Sequence, residues 1–250
     1  MITKSNANRH TLILLAWTVA CVLLRAHAAN SFFLVDQRHD LSNAYEGYHN
    51  IRAYPPVQEF VPSVGALDAV DIWTLDLGYP STNGAGATLQ ASILSDAVNG
   101  TVLAESEPVV LPDNWDGPSR FVLREQLLLE PGRSYAIALR VLDGDTWGIR
   151  NYGELFPSYP FGRYFIGGIA VDSFDIWFRT IVNFVPPFLA IDSHRTIRWQ
   201  GIPSLPYTVW RSADLSHWSI AGTARASSRD FSFSEEHPDS GALFYRVSYP

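Results

Sequence analysis

Paired carboxylates are the side chains in this sequence that could perform acid and base chemistry. Glu105 and Glu107 are two positions apart, so on a β-strand they would share one face. A glycosidase holds two carboxyl groups about 5.5 Å apart, or about 6.5–9.5 Å apart, across a cleft. Spacing along the chain does not establish such a cleft, and solvated strand residues are the preferred interpretation.

Other catalytic chemistries lack their motifs. The chain has neither the G-x-S-x-G of a nucleophile elbow nor the H-E-x-x-H of a zinc helix. Its one cysteine, Cys21, lies in the N-terminal apolar run, so the rest of the chain has no thiol nucleophile. Segment 212–218 resembles the Asp-box of sialidases, but Ser216 stands where that motif has glycine. We interpret it as a structural corner in which Ser212 and Asp214 bond nearby backbone.

Aspartates in turn segments could bind calcium through their oxygens. Asp143 and Asp145 flank one glycine, without the remainder of an EF-hand loop. Asp36 and Asp175 are further candidates. A polar turn that binds no ion is the alternative for the Asp-Gly-Asp segment.

Aromatic residues in turn-rich segments could bind saccharides, because sugar rings stack flat C–H faces on exposed aromatic rings. Binding residues collect on the loops of rigid sandwiches. The candidate ligand-binding residues are Trp115, Trp147, Arg150, Asn151, Tyr152, Tyr159 and Arg163. The alternative is that such rings plug the end of a sandwich. Trp73 and Trp177 lie within strand-like segments and are predicted to be core residues.

The elements that would position these residues are β-strands. Apolar and polar residues alternate with period two over 88–93 and 135–141, which is typical of half-buried antiparallel strands. Turn signals such as Pro131-Gly132 separate the strands, and no amphipathic helix is predicted after residue 30. The fold class is therefore predicted to be all-β, built from antiparallel sandwiches.

The first residues read as a signal peptide. Lys4 and Arg9 precede an apolar run over 11–24, and Ala26-x-Ala28 fits a cleavage site, so residues 1–28 are predicted to be removed. The run is short for a span of about 20 residues, and an uncleaved anchor or acylation of Cys21 are the alternatives. The protein is predicted to be exported, to the cell surface, the periplasm or the medium, with no membrane span after cleavage.

A proline pair predicts a division of the rest of the chain. Pro186-Pro187 favours a semi-rigid spacer, so residues 183–188 are predicted to link a module over 29–182 to one over 189–250. The second module is small enough to lean on its neighbour. The net charge of −7 argues against nucleic acid as a partner.

Two resemblances refine these expectations. Leu67–Trp73, Leu129–Gly132 and Asp175–Thr180 occur in the order that resembles a jelly-roll, carbohydrate-binding-like module of exported bacterial proteins. Segments 212–218 and 244–247 resemble a short β module found at the C-termini of large exported bacterial proteins. The resemblances imply a jelly-roll-like β-sandwich, in which a structural calcium is common, followed by a small β-sandwich or meander without chemistry of its own.

The function expected from these features is non-catalytic attachment to extracellular glycan or matrix, through loops near residues 143–164. A structural cell-surface component that contacts other proteins is the alternative, and a glycoside hydrolase is the third hypothesis. The expected partners are polysaccharides or surface proteins.

Overall fold

The computed structural model describes residues 32–40, 47–78, 84–97, 99–153, 158–172, 174–184, 189–192, 196–235 and 243–249. Within these residues the chain is all-β and contains no helix, which confirms the predicted fold class. No helix there is long and apolar enough to cross a membrane. The predicted signal peptide, 1–28, lies outside the described residues.

Fourteen strands form the larger part of the molecule. They are β1 (Phe32–His39), β2 (Gly47–Asn50), β3 (Pro56–Phe60), β4 (Ala66–Asp76), β5 (Ala87–Leu94), β6 (Val102–Glu105), β7 (Val109–Leu111), β8 (Asp116–Leu128), β9 (Tyr135–Gly144), β10 (Trp147–Tyr152), β11 (Tyr164–Ile166), β12 (Ile169–Val171), β13 (Asp175–Ile176) and β14 (Phe178–Phe184).

These strands make two seven-stranded antiparallel sheets. The first sheet contains β1, β2, β4, β8, β10, β13 and β14, and the second contains β3, β5, β6, β7, β9, β11 and β12. From β8 onward the chain changes sheet at each of the successive strands β8, β9, β10 and β11. Such alternation closes two sheets over one core, as expected for a jelly-roll-like sandwich.

The core between the two sheets follows the predicted period of two. On β5 the side chains of Leu89, Ala91 and Ile93 belong to this core and are fully buried. The alternate polar residues Gln90 and Ser92, expected to face solvent, are buried as well, and Thr88 is half-buried. The predicted Pro131-Gly132 turn is also confirmed. Gly132 has a φ of +83°, and the turn closes with a bond from the Arg133 N–H to the Glu130 carbonyl at 3.2 Å.

Six further strands form a small second sandwich. They are β15 (Ala190–Ile191), β16 (Ile197–Gln200), β17 (Tyr207–Ser212), β18 (Ser219–Ala224), β19 (Asp230–Phe233) and β20 (Phe244–Ser248). They pair as β15-β16-β19 and β18-β17-β20. Trp199, Tyr207 and Phe231 fill the space between these three-stranded sheets, with ring centroids 4.8–5.9 Å apart.

The two sandwiches share buried surface. Val64, Ala66 and Val182 of the large sandwich belong to the same apolar cluster as the core of the small one. The Gly65 N–H donates to the Pro203 carbonyl across this contact at 2.8 Å. Strand β14 continues to Phe184, two residues beyond the predicted end of the first module, and 185–188 lie outside the described residues. The small sandwich therefore packs against the large one and shares part of its apolar core with it.

Candidate functional site

The rings predicted to stack on a saccharide are buried. Trp147 is 0% exposed, Tyr152 is 3% exposed and Tyr159 is 4% exposed. Trp147 belongs to the core between the large sheets, and its indole N–H donates to Asp145 Oδ1 at 2.7 Å. A ring without an exposed face cannot stack on a ligand. This corrects the expectation of a stacking surface at residues 143–164 and fits the alternative, that these rings plug the sandwich.

The other predicted binding residues are dispersed. Asn151 is 1% exposed, and Trp115 packs partly against the main core. Arg163 stands just before β11 of the second sheet, 3.8 Å from the Glu59 carboxylate. Arg150, on β10, alternates with the core residue Ile149, faces outward from the first sheet and forms an ion pair with Asp116. The predicted set is therefore not one site.

Tyr159 instead joins a buried polar network between the sheets. Its hydroxyl donates to Gln37 Oε1 at 2.7 Å, and its backbone N–H donates to Asp175 Oδ2 at 2.9 Å. The Gln58 side-chain amide donates to the other Asp175 oxygen at 2.9 Å. Burial raises the pKa values of Tyr159 and Asp175, and burial near Asp40 raises the pKa of Tyr152 to about 12. The network ties β1, β3 and β13 together.

The predicted calcium ligands do not converge. They are Asp36, Asp143, Asp145 and Asp175. Asp36 accepts bonds from the Ser63 N–H at 3.0 Å and from the Ser63 hydroxyl, while Asp145 accepts from Trp147. Asp143 lines a separate open pocket. Across the part of the chain that the structure describes, no three His, Cys, Asp or Glu residues are grouped to hold a metal. These residues therefore do not fit a calcium site.

The carboxylates considered for catalysis flank an arginine. Arg124 lies 3.9 Å from a Glu105 oxygen and 3.7 Å from a Glu107 oxygen. Glu105 also accepts from Arg140 at 2.8 Å. Both glutamates thus take part in an ion-pair network on the surface. This agrees with the preferred interpretation, that they are solvated strand residues.

A different part of the molecule combines aromatic and charged side chains, namely the outer face of the first sheet. Arg120 on β8 and Arg179 on β14 are both in register with Asp71 on β4. Arg120 binds Asp71 through two bonds of 2.7 and 2.9 Å, which raise the pKa of the guanidinium. Arg179 donates to Asp40 at 2.6 Å. A row of ionic side chains therefore crosses three adjacent strands.

Two tryptophans form a second row beside it. Trp73 on β4 meets Trp177 edge to face, with ring centroids 5.6 Å apart. The Arg179 guanidinium lies 4.9 Å from the Trp177 ring centroid. Trp73 alternates with Ile72, and Trp177 with Phe178, both of which point into the main core. Both tryptophans are therefore on the outer face, where Trp177 is buried and Trp73 is half-buried. The prediction that both are core residues is confirmed in the burial of Trp177 and is wrong for Trp73, which is only half-buried.

Hydrogen bonds hold Trp73 in place. Its indole N–H donates to Asp116 Oδ1 at 2.6 Å, and the other Asp116 oxygen accepts from Arg150 at 2.6 Å. The Arg150 side chain is 12% exposed, and its strand partner Tyr48 is 57% exposed. One aspartate thus fixes both the ring and the neighbouring cation.

We name this surface the aromatic face; its residues are Phe33, Tyr48, Asp71, Trp73, Asp116, Arg120, Arg150, Trp177 and Arg179. Phe33 lies at the rim of this face and is 56% exposed. The guanidinium carbon of Arg120 is 4.9 Å from the centroid of its ring. Each of the three arginines is paired with an aspartate. The face therefore offers flat rings together with donors and acceptors, and little unbalanced charge.

The aromatic face had a signal in the sequence. In the run Val70 to Trp73, Asp71 and Trp73 are two positions apart, and so are Val70 and Ile72. Period-two alternation places Asp71 and Trp73 on one side, and an aspartate there indicates the outer side. The pairing of Asp116 with Arg150, 34 residues apart, had no such signal.

No protein-family model matches the chain, and a search of curated proteins found no match. The function must therefore be inferred from the geometry of the molecule itself.

Proposed function

We propose that this protein is an exported, non-catalytic binding protein that attaches to extracellular glycan through the aromatic face. The observation that carries the proposal is the half-buried Trp73 ring, fixed by Asp116 beside the paired Arg150. A saccharide stacks its C–H face on an indole, and neighbouring polar groups bond its hydroxyls. This combination lies on the sheet and not on the loops near 143–164.

Preorganisation supports this function. Trp73 is restrained by its bond to Asp116 and by edge contact with Trp177. Arg120 and Arg179 are held by carboxylates and rest over aromatic rings. Side chains that are already ordered lose little conformational entropy when a ligand binds, so more of the contact energy appears as affinity.

Charge balance favours a neutral polysaccharide. A ligand carboxylate would have to compete with Asp71 and Asp116 for arginines that these residues already hold at 2.6–2.9 Å. Hydroxyl groups can instead add to the remaining N–H donors and carboxylate lone pairs without breaking the pairs. The ligand class is therefore a neutral, polyhydroxylated chain.

The layout of the face suits an extended ligand. Adjacent strands are about 4.8 Å apart, so a row that crosses β8, β4 and β14 extends about 10 Å, and β1 adds about 5 Å. The ionic and tryptophan rows are separated by two residues along a strand, or about 7 Å. A polysaccharide running across the strands could stack on the half-buried Trp73, which the buried Trp177 supports, while its hydroxyls contact the ionic row.

Affinity electrophoresis in gels that contain neutral polysaccharides such as xylan, glucomannan or β-glucan tests the proposal, with pull-downs on cellulose and chitin. At least one of these should retard the protein, and Trp73→Ala should weaken that retention at least tenfold. Trp218→Ala, which removes a half-buried tryptophan of the small sandwich, is the matched control and should leave retention by the neutral polysaccharide unchanged.

Two results would contradict the proposal. One is retention by a polysaccharide that Trp73→Ala does not alter, and the other is no retention by any neutral polysaccharide tested. Release of reducing ends from a retained polysaccharide would indicate a glycoside hydrolase instead. Detection of the protein in the cytoplasm, with residues 1–28 still present, would refute export.

A further inference from the structure

The small sandwich carries an arginine held between two tryptophans. Arg246 lies on β20, directly opposite Trp210 of β17. Its guanidinium carbon is 5.2 Å from the Trp210 ring centroid and 4.5 Å from the Trp218 ring centroid. Both rings thus contact one exposed cation on the outer face of the sheet β18-β17-β20.

Both indoles are fixed by their own hydrogen bonds. The Trp210 N–H donates to Ser248 Oγ at 2.9 Å, and the Trp218 N–H donates to the Leu215 carbonyl at 3.0 Å. The stack is therefore formed before any ligand arrives.

The predicted corner at 212–218 positions the second ring. Ser212 Oγ accepts the Leu215 N–H at 2.8 Å, and the Asp214 carboxylate accepts the His217 N–H at 2.8 Å. The corner expected from the sequence is thereby confirmed, and it folds Trp218 over the β20 side chain Arg246.

Arg246 differs from the other arginines of the described ranges. Each of the others either forms an ion pair or donates to a protein oxygen; they are Arg38, Arg52, Arg120, Arg124, Arg133, Arg140, Arg150, Arg163, Arg179, Arg198, Arg211, Arg225 and Arg229. Among the same residues, Arg246 has only its two ring contacts. A guanidinium has five N–H donors, and stacking on rings leaves them at its edge. The fork of Arg246 is therefore ready to bind an anion.

Apolar side chains surround this cation. Leu215 is 57% exposed, Ile220 is 60% exposed and Phe244 is 40% exposed. Trp210 lies between Ile220 and Arg246 in the cross-strand register. Exposed apolar side chains around an ordered Arg and Trp are typical of protein interfaces, where these two residue types dominate the binding energy.

We propose that this surface, the Arg246 face, docks a protein partner that presents a carboxylate between apolar side chains. Its residues are Trp210, Leu215, Trp218, Ile220, Phe244 and Arg246. The argument is charge complementarity: a carboxylate matches the guanidinium fork through two parallel hydrogen bonds. The aliphatic Leu215 and Ile220 favour a peptide surface over a saccharide, which stacks on rings. This site is separate from the aromatic face and does not depend on glycan binding.

The probe is a peptide array in which one Glu or Asp is flanked by Leu, Ile or Phe, beside a matching array with Gln or Asn in place of the acid. The protein without its predicted signal peptide, and with both sandwiches present, should bind acidic members. Calorimetry should then show at least tenfold weaker binding of the amide counterpart. Arg246→Gln should produce the same loss, and Arg246→Lys should recover only part of the affinity, because lysine keeps the charge but not the fork.

Arg225→Gln is the matched control, since Arg225 lies in the same sandwich but already donates to the Ser204 carbonyl at 2.8 Å. Thermal melts of each variant establish that it is folded. The proposal is overturned by equal binding of acidic and amide peptides, by undiminished binding in Arg246→Gln, or by no acid-dependent binding. Arg246-dependent retention by alginate without peptide binding would assign the site to an anionic glycan. Self-association that Arg246→Gln abolishes would assign it to a second copy.

Discussion

Replacing Trp147 and replacing Trp73 should damage two different properties of the protein. Trp147 is fully buried in the main core, whereas Trp73 is half-buried on the aromatic face. Burial of an aromatic ring removes about 150–250 Å² from water, which at about 25 cal/mol per Å² corresponds to about 4–6 kcal/mol. Because the cavity partly relaxes, Trp147→Ala should cost about 3–5 kcal/mol. Trp73→Ala leaves no enclosed cavity and should cost about 1 kcal/mol.

Urea unfolding followed by far-ultraviolet circular dichroism measures both values. With a slope near 3 kcal/mol per M, Trp147→Ala should lower the unfolding midpoint by about 1–1.7 M, and Trp73→Ala by about 0.3 M. Natural domains have only about 5–15 kcal/mol of stability, so Trp147→Ala could fail to fold. Trp147→Phe then serves as the milder variant, because it keeps a ring but leaves the Asp145 acceptor without its indole donor. It should lower stability by about 1–2 kcal/mol.

Glycan retention should show the opposite order. Trp147→Phe, once folded, should bind polysaccharide like the original protein, while Trp73→Ala should lose retention. A Trp147→Ala protein with an unchanged midpoint and slope would refute the assignment of this ring to the core. If folded Trp147→Phe loses retention while Trp73→Ala keeps it, the glycan-binding site lies at the loops near 143–164 and not on the aromatic face.

Three further substitutions test the packing and the corner. In Gly65→Ala the new Cβ would come 2.8 Å from Pro203 Cβ, so the crowded contact between the sandwiches should reduce the free energy of unfolding by about 1–3 kcal/mol. Calorimetry should show a lower melting temperature, and an unchanged melting temperature would argue against the shared core. Asp175→Leu leaves two buried N–H donors unpaired and should cost at least about 2 kcal/mol in urea melts, whereas stability equal to the original would mean that the donors find other acceptors. Hydrogen bonds from His217 lower the pKa of Asp214, so the stabilising effect of this carboxylate should be complete above about pH 4 and should fade as the pH falls further. The difference in melting temperature between the original protein and Asp214→Ala should therefore become smaller in acid. A difference that stays constant with pH would contradict this expectation.

Features that depend on neighbours in the sequence were predictable. The alternation around Leu89 and Ile93 placed both in the core, and Pro131-Gly132 formed the expected turn. The Ser212 to Trp218 corner follows from side chains that bond backbone two or three residues away. Each of these outcomes is decided within one strand or one turn, so no knowledge of distant strands was needed.

The positions of the aromatic rings depended on distant strands and were not predictable in the same way. Trp147 follows an Asp-Gly-Asp turn, which indicated a loop. It instead begins β10 and pairs with Asp76 of β4, while the next residue, Gly148, pairs with Asn50 of β2. Those pairings turn the ring into the core. Asp175 was predicted as a metal ligand, but its carboxylate accepts hydrogen bonds from Gln58, 117 positions away, and from Tyr159, 16 positions away.

The two proposed surfaces differ in one physical respect, which is whether their arginines are already neutralised. On the aromatic face, Asp71 and Asp116 hold Arg120 and Arg150 at 2.6–2.9 Å, so a ligand adds hydrogen bonds and ring contacts but gains little from charge. On the Arg246 face, the rings order the guanidinium without neutralising it, so a ligand must bring the negative charge. The two proposals therefore assign different partners to the two tryptophan-containing surfaces, a neutral glycan and an acidic protein segment. Because the two surfaces lie on different sandwiches, we expect the two proposed partners to bind without competing.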